Sequence, residues 1–159
     1  LESCEAEAEN GVVVVSSAKK RPFMADRKFF EKHGYVVCDK APPYFELLVK
    51  RTNPDTPLPR FSGSAQNPVC KDNGGIVTFF TPQCPYNEYY VKVAEAGVAK
   101  SHGVPFETHP VITREDARNA PTAFPLHSVF YRGKLLTHEF LYDDRSFDRA
   151  MKQVPGGKE

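Results

Sequence analysis

A chain of 159 residues, 40% hydrophobic and 12% aromatic, can form one ordinary domain or two small ones with a packed core. Its 21 Lys and Arg nearly balance 20 Asp and Glu, which excludes a global field that would recruit nucleic acid or an anionic membrane surface. The longest apolar run, Val12 to Val15, is far too short to span a bilayer, so no membrane is expected.

The acidic opening Leu1-Glu2-Ser3-Cys4-Glu5 is unlike a basic signal sequence, and the absence of an initial Met fits a piece of something longer. Leu1 to Asn10 has helix-forming composition and stops at Asn10-Gly11. Val12 to Val15 does not alternate and reads as a strand buried on both faces. Asp26 is placed to cap a helix whose apolar side is Phe29 and Phe30 and which ends at His33-Gly34. Tyr35 to Cys38 and Tyr44 to Val49 read as further strands, with Ala41-Pro42-Pro43 between them interrupting any regular ladder.

Residues 53–74 are rich in Pro, Gly, Asn and Asp and lack the periodicity of an element, so they read as a linker between domains at 1–52 and 75–159. The first domain is short for independent stability and is expected to need a partner: a missing N-terminal half or a second copy of the chain. The second reads β-α-β-α-β-β-α. Its strands are Ile76 to Phe80, Pro105 to Val111, Ser128 to Tyr131 and Leu135 to Phe140. Its helices are Glu88 to His102, Arg114 to Ala120 and Arg145 to Val154. Arg132-Gly133 forms a hairpin turn. The fold class is therefore α/β (α+β), closing in a mixed sheet with flanking helices.

The most informative stretch is Gly75 to Asn87. An apolar strand ends at Thr81-Pro82-Gln83, and Cys84 follows where the next helix begins. A thiol there faces unpaired N–H groups and the positive end of the helix dipole, both of which stabilise a thiolate. The alternative is a small buried hydrophobe that happens to start a helix. Cys4, Cys38 and Cys70 read as ordinary reduced thiols, and no pair among the four cysteines has Cys-x-x-Cys spacing, so neither a metal nor a disulfide framework is expected. A cytoplasmic protein is the expectation. His109 and His127 are candidates to orient a substrate, against the commoner structural role. Glu46 is a weak candidate general base for an amine, against the favoured reading that alternation points it to solvent.

Cys84-Pro85-Tyr86 at a strand-to-helix turn, with Asn87 where a second cysteine would stand, resembles the redox turn of the thioredoxin superfamily. Counting back from Gly133, Pro125 falls where that fold carries its cis-proline. The resemblance implies a one-thiol site at Cys84 and a substrate groove lined by Pro85, Tyr86, Asn87, Phe124 and Pro125.

A narrower resemblance covers nearly the whole chain. It is carried by Val12 to Ser17, Lys20-Arg21-Pro22-Phe23, Lys32-His33-Gly34-Tyr35, Ala41 to Leu48, Thr81 to Tyr86, Asn119-Ala120-Pro121 and Ser128 to Lys134. These stretches resemble the C-terminal portion of YoaP-like GNAT-family acetyltransferases, in which an acetyltransferase domain is followed by a thioredoxin-like one. Residues 1–52 would then be the incomplete strand-helix-strand-strand half of a GNAT domain.

That resemblance implies acetyl-CoA as cosubstrate and a small-molecule or peptide amine, or a thiol, as substrate. It places the Gln/Arg-x-x-Gly-x-Gly/Ala pyrophosphate turn upstream of Leu1 rather than within the chain. It also puts Phe30, which has no proton to give, at the position of the family's Tyr general acid. The expectation is part of an N-acetyltransferase that does not bind acetyl-CoA alone. The alternatives are a mixed-disulfide protein using Cys84 and a non-catalytic docking module.

Overall fold

The computed structural model describes residues 1–154; residues 155–159, at the end of the expected 75–159 domain, lie outside the described residues. The chain forms two compact units, Leu1–Asn67 and the part from Pro68 onward. Both mix helices with one β-sheet, so the molecule is α/β with two separate sheets.

The first unit holds α1 (Glu2–Glu7), β1 (Val12–Ser17), α2 (Arg27–Lys32), β2 (Val36–Ala41), β3 (Phe45–Lys50) and the one-turn helix α3 (Gly63–Gln66). Its sheet is antiparallel with order β1-β3-β2. Asp26 caps α2 by accepting from the Lys28 N–H, and His33 closes the helix with its Nδ1 2.8 Å from the Phe29 carbonyl. Phe30, Tyr35 and Leu48 form the core here, with Val12, Val14 and Val37 packed against them.

The reading of Val12 to Val15 as buried on both faces is corrected. β1 is an edge strand with Val13 46% exposed, and the buried strand is the central β3, from Phe45 to Val49. A central strand is covered along both edges, so burial follows sheet position more closely than apolar content. β2 also runs three residues beyond Cys38, through a bulge that leaves Cys38 without a partner in the register with β3.

The second unit holds β4 (Ile76–Phe80), α4 (Pro85–Tyr89), a π-helical segment (Tyr90–Glu95), α5 (Ala96–Ser101), β5 (Phe106–Pro110), α6 (Arg114–Asn119), β6 (His127–Tyr131), β7 (Lys134–Thr137) and α7 (Asp144–Met151). Sheet order is β5-β4-β6-β7, with β4 and β5 parallel and the other pairs antiparallel. Arg132 and Gly133, with φ of 47° and 76°, form the β6–β7 turn; two successive positive φ values suit the twist of a tight hairpin. Capping boxes open α6 (Thr113 with Asp116) and α7 (Asp143 with Ser146). The core joins Ile76, Val98, Ala99, Val129, Leu141, Phe147 and Ala150.

β7 stops at Thr137, short of the expected Phe140. The Thr137 hydroxyl accepts from the Glu139 N–H and turns the chain, and Phe140 instead stacks its ring on Tyr90 at 4.8 Å. The Gly75 position admits no side chain, because a Cβ there would collide with the Pro105 carbonyl oxygen that accepts from the Ile76 N–H.

Candidate functional site

Cys84 is half-buried at the N-cap of α4, in extended backbone (φ −89°, ψ 117°), with Pro85 as the first helical residue. The turn before it is braced on three sides. The Thr81 N–H donates to the Leu126 carbonyl at 3.1 Å, and the Gln83 N–H donates to the Thr81 hydroxyl at 3.3 Å. The buried Asn87 carboxamide donates to both the Thr81 and Leu126 carbonyls, each at 2.8 Å. Asn87 is therefore a strut that joins the thiol-bearing turn to the loop after Pro125.

Of the expected groove residues, Pro85 and Tyr86 are exposed beside Cys84, while Phe124 and Pro125 are half-buried in the segment leading to Leu126. Asn87, 3% exposed, faces inward. The expected cis-proline at Pro125 is corrected: among the described residues the cis bond is Pro42–Pro43, and Phe124–Pro125 is trans. Here the Leu126 carbonyl, two hydrogen bonds deep in the Thr81–Asn87 turn, sets the approach of this loop.

Behind the turn, Asn87, Val91 and Glu95 lie four residues apart on the buried side of the helix. In a regular helix the third would drift around the cylinder by about 80°; a wider π turn between Val91 and Glu95 offsets that drift. The result seats the Glu95 carboxylate, 1% exposed, in a closed polar network. It accepts from the Thr78 hydroxyl (3.0 Å) and the Leu141 N–H (3.2 Å), and its Oε1 lies 2.8 Å from His127 Nε2. His127 Nδ1 lies 3.2 Å from the His138 carbonyl, so both of its ring nitrogens face acceptors. His127 thus belongs to an interior hydrogen-bond network rather than to a substrate surface. Sequence reasoning passed over Glu95; a lone acid within the apolar side of a helix was the available signal. His109 stacks on Phe79 at 4.9 Å and pairs with Glu107 at 2.9 Å on the exposed side of β5.

The other thiols differ in setting. Burial, then the negative Asp72 and Glu107, push the Cys70 thiol up to about 11. Burial and Asp39 likewise raise Cys38, while Cys4 is exposed. Among the described residues no cluster of three or more His, Cys, Asp or Glu could hold a metal ion, and no helix is long and apolar enough to cross a membrane.

In the first unit, Glu46 does not point to solvent, and the favoured reading from alternation is corrected. Its side chain is 5% exposed and lies between Arg27 Nη1 at 3.0 Å and Lys40 Nζ at 3.3 Å. A carboxylate loses too much solvation to be buried alone, and these cations from α2 and β2 supply the compensation. Both oxygens face cations, so the Glu46 carboxylate is held within an ion-pair network. Glu46 lines a cavity of about 560 Å³ with Lys19, Arg21, Lys40 and Tyr44.

The expectation that no pyrophosphate turn lies within the chain needs a correction of its own. Arg60-Phe61-Ser62-Gly63-Ser64-Ala65 fits the letters of the pattern. Its geometry does not fit the group: it opens the one-turn α3, the Ser62 hydroxyl already accepts from the Ala65 N–H, and Ala65 is buried. Four residues align too few peptide dipoles, and the cap occupies a donor that a phosphate would need. Phe30 sits 8% exposed in the core beside Tyr35. The Tyr35 hydroxyl donates to Glu5 at 3.2 Å, and burial and that carboxylate raise its pKa.

The sequence model of the YoaP-like family matches residues 105–149. The chain is 28% identical over 145 residues to the uncharacterized N-acetyltransferase YoaP of Bacillus subtilis (strain 168), covering 89% of this chain. The chain spans 57% of that relative's length. No solved structure gives a significant match.

Proposed function

We propose that this chain works within a GNAT-type N-acetyltransferase, where it supplies the acceptor side and an appended thiol-bearing unit. Acetyl-CoA is bound by parts of the enzyme outside this sequence. The observation that carries the reading is the similarity to an N-acetyltransferase along 89% of the chain. The strand-helix-strand-strand order of the first unit and the poor fit of the Arg60–Ala65 turn to a pyrophosphate support the division of labour. The acceptor is an amine on a small molecule or peptide.

The experiment joins this chain to the part of the Bacillus subtilis relative outside the matched region and follows release of the CoA thiol over a panel of amines. Amine-dependent release by the fusion, with none by the chain alone, is the expected result. A folded fusion that binds acetyl-CoA by calorimetry but acetylates no amine would overturn it.

A second reading is favoured by one specific observation. Cys84 stands at the N-cap of the helix that follows the first strand of a β-α-β-α-β-β-α unit, the arrangement expected of a thioredoxin-like domain. In this reading the Cys84 thiolate attacks a disulfide, forms one S–S bond and expels the other sulfur as thiolate. With Asn87 in place of a second cysteine, the mixed disulfide persists until an external thiol attacks it.

A further inference from the structure

The cavity of the first unit opens between the segment that follows β1 and the turn joining β2 to β3. Its charged lining residues are Lys19, Arg21, Lys40 and Glu46: three cations against one carboxylate. That carboxylate is already matched by Arg27 and Lys40. Lys19 and Arg21 form no ion pair among the described residues, so the cavity wall carries positive charge that nothing in the unit answers.

Arg21 is held in place. Its carbonyl accepts from the Met24 N–H, closing a tight turn, and its guanidinium carbon lies 3.8 Å from the centre of the Tyr44 ring. Stacking on an aromatic face leaves the edge of the guanidinium plane, with its parallel N–H donors, directed sideways. The terminal Nη groups of Arg21 form no hydrogen bond or ion pair among the described residues, and a carboxylate or phosphate would meet them in the two-pronged geometry that suits guanidinium.

We propose that this cavity binds a small ligand bearing a carboxylate or phosphate group. The anion sits on the edge of Arg21, with Lys19 as second cation and Tyr44 as the surface that orients the guanidinium. The claim that this ligand is the acceptor amine, and so an amino acid or a phosphorylated amine, rests on the proposed acetyltransferase function; the capture of the anion itself does not.

The test is an amide-resonance titration of the whole chain with inorganic phosphate and, separately, with succinate. At least one of the two should give saturable shifts concentrated at residues 18–21 and 40–46. Saturation by phosphate alone assigns a phosphate, and by succinate alone a carboxylate. Arg21→Gln should weaken binding by roughly tenfold or more, with the spectrum otherwise preserved. Arg21→Lys should restore only part of it, because an ammonium lacks the planar fork. If Arg21→Gln disturbs folding, the exposed Lys19→Ala takes its place and should weaken binding several-fold. Drift that never saturates and spreads over all lysines would overturn the proposal, as would saturable binding unchanged by either substitution. Anion binding here, combined with amine acetylation by the fusion that ignores Arg21, would keep the cavity and remove its role as the acceptor site.

Discussion

At the scale of single residues, thiol reactivity separates the four cysteines. Cys38 and Cys70 stay protonated at neutral pH because burial and neighbouring carboxylates disfavour their anions. Cys84 is half-buried at a helix N-terminus, beside exposed Pro85 and Tyr86. Glutathione disulfide followed by mass spectrometry should label Cys84 faster than Cys4, Cys38 or Cys70, and Cys84→Ser should remove the fast phase. Labelling of Cys84 at the pace of the others would leave the mixed-disulfide reading without support. Asn87→Ala should cost about 2 kcal/mol in denaturant melts, since it leaves the Thr81 and Leu126 carbonyls short of a donor. The place of Cys84 could be read in the sequence because Pro82 and Pro85 bracket the turn. The inward strut of Asn87 could not, since its partner Leu126 is 39 residues away. Glu46 misled for a related reason: alternation says which residues share a face, but not whether cations elsewhere make a face habitable for a carboxylate.

At the scale of elements, the Glu95–His127 pair ties the π-helical segment to β6. Glu95→Ala should destabilise the second unit by roughly 3–5 kcal/mol, because His127, Thr78 and Leu141 all lose their acceptor. Gly75→Ala should cost roughly 1–3 kcal/mol, since the close approach of the Pro105 backbone just before β5 must open to admit a methyl group. The capping boxes give acid sensitivity a definite sign. The Thr113 backbone N–H holds Asp116 below the ordinary Asp value of 3.8, and the Ser146 N–H does the same for Asp143. A lowered folded-state pKa stabilises the fold above the ordinary value, and that contribution fades as pH falls through the lowered one. Thermal melts should therefore lose stability on acidification below that value, and the Asp116→Asn, Asp143→Asn double variant should lose less over the same interval. Capped helices such as α2 and α6 were readable because their signals are local. The early end of β7 and the π turn were not, since a side-chain bond within a turn and a shift in helical hydrogen bonding leave no periodic trace.

At the scale of the whole molecule, the chain divides after Asn67, within the Pro- and Gly-rich segment 53–74. That segment is more than a tether. The Asp39 carboxylate accepts from the Phe61 N–H at 2.8 Å and from the Gln66 side chain, and Cys70 donates its N–H to the Gly133 carbonyl. The β-α-β-α-β-β-α order of the second unit was readable because alternating strand and helix signals punctuated by Gly and Pro carry it. The cationic cavity was not, because Lys19 and Arg21 meet Lys40 and Tyr44 only through the pairing of β2 with β3 and β3 with β1. Under the proposed function this chain provides the acceptor side of an acetyltransferase while acetyl-CoA binds elsewhere. Isothermal calorimetry of the chain with acetyl-CoA tests it most directly. No saturable heat is expected at concentrations below about millimolar, a binding free energy no better than about −4 kcal/mol. Saturation in the micromolar range would contradict it, because these residues would then hold the cofactor by themselves.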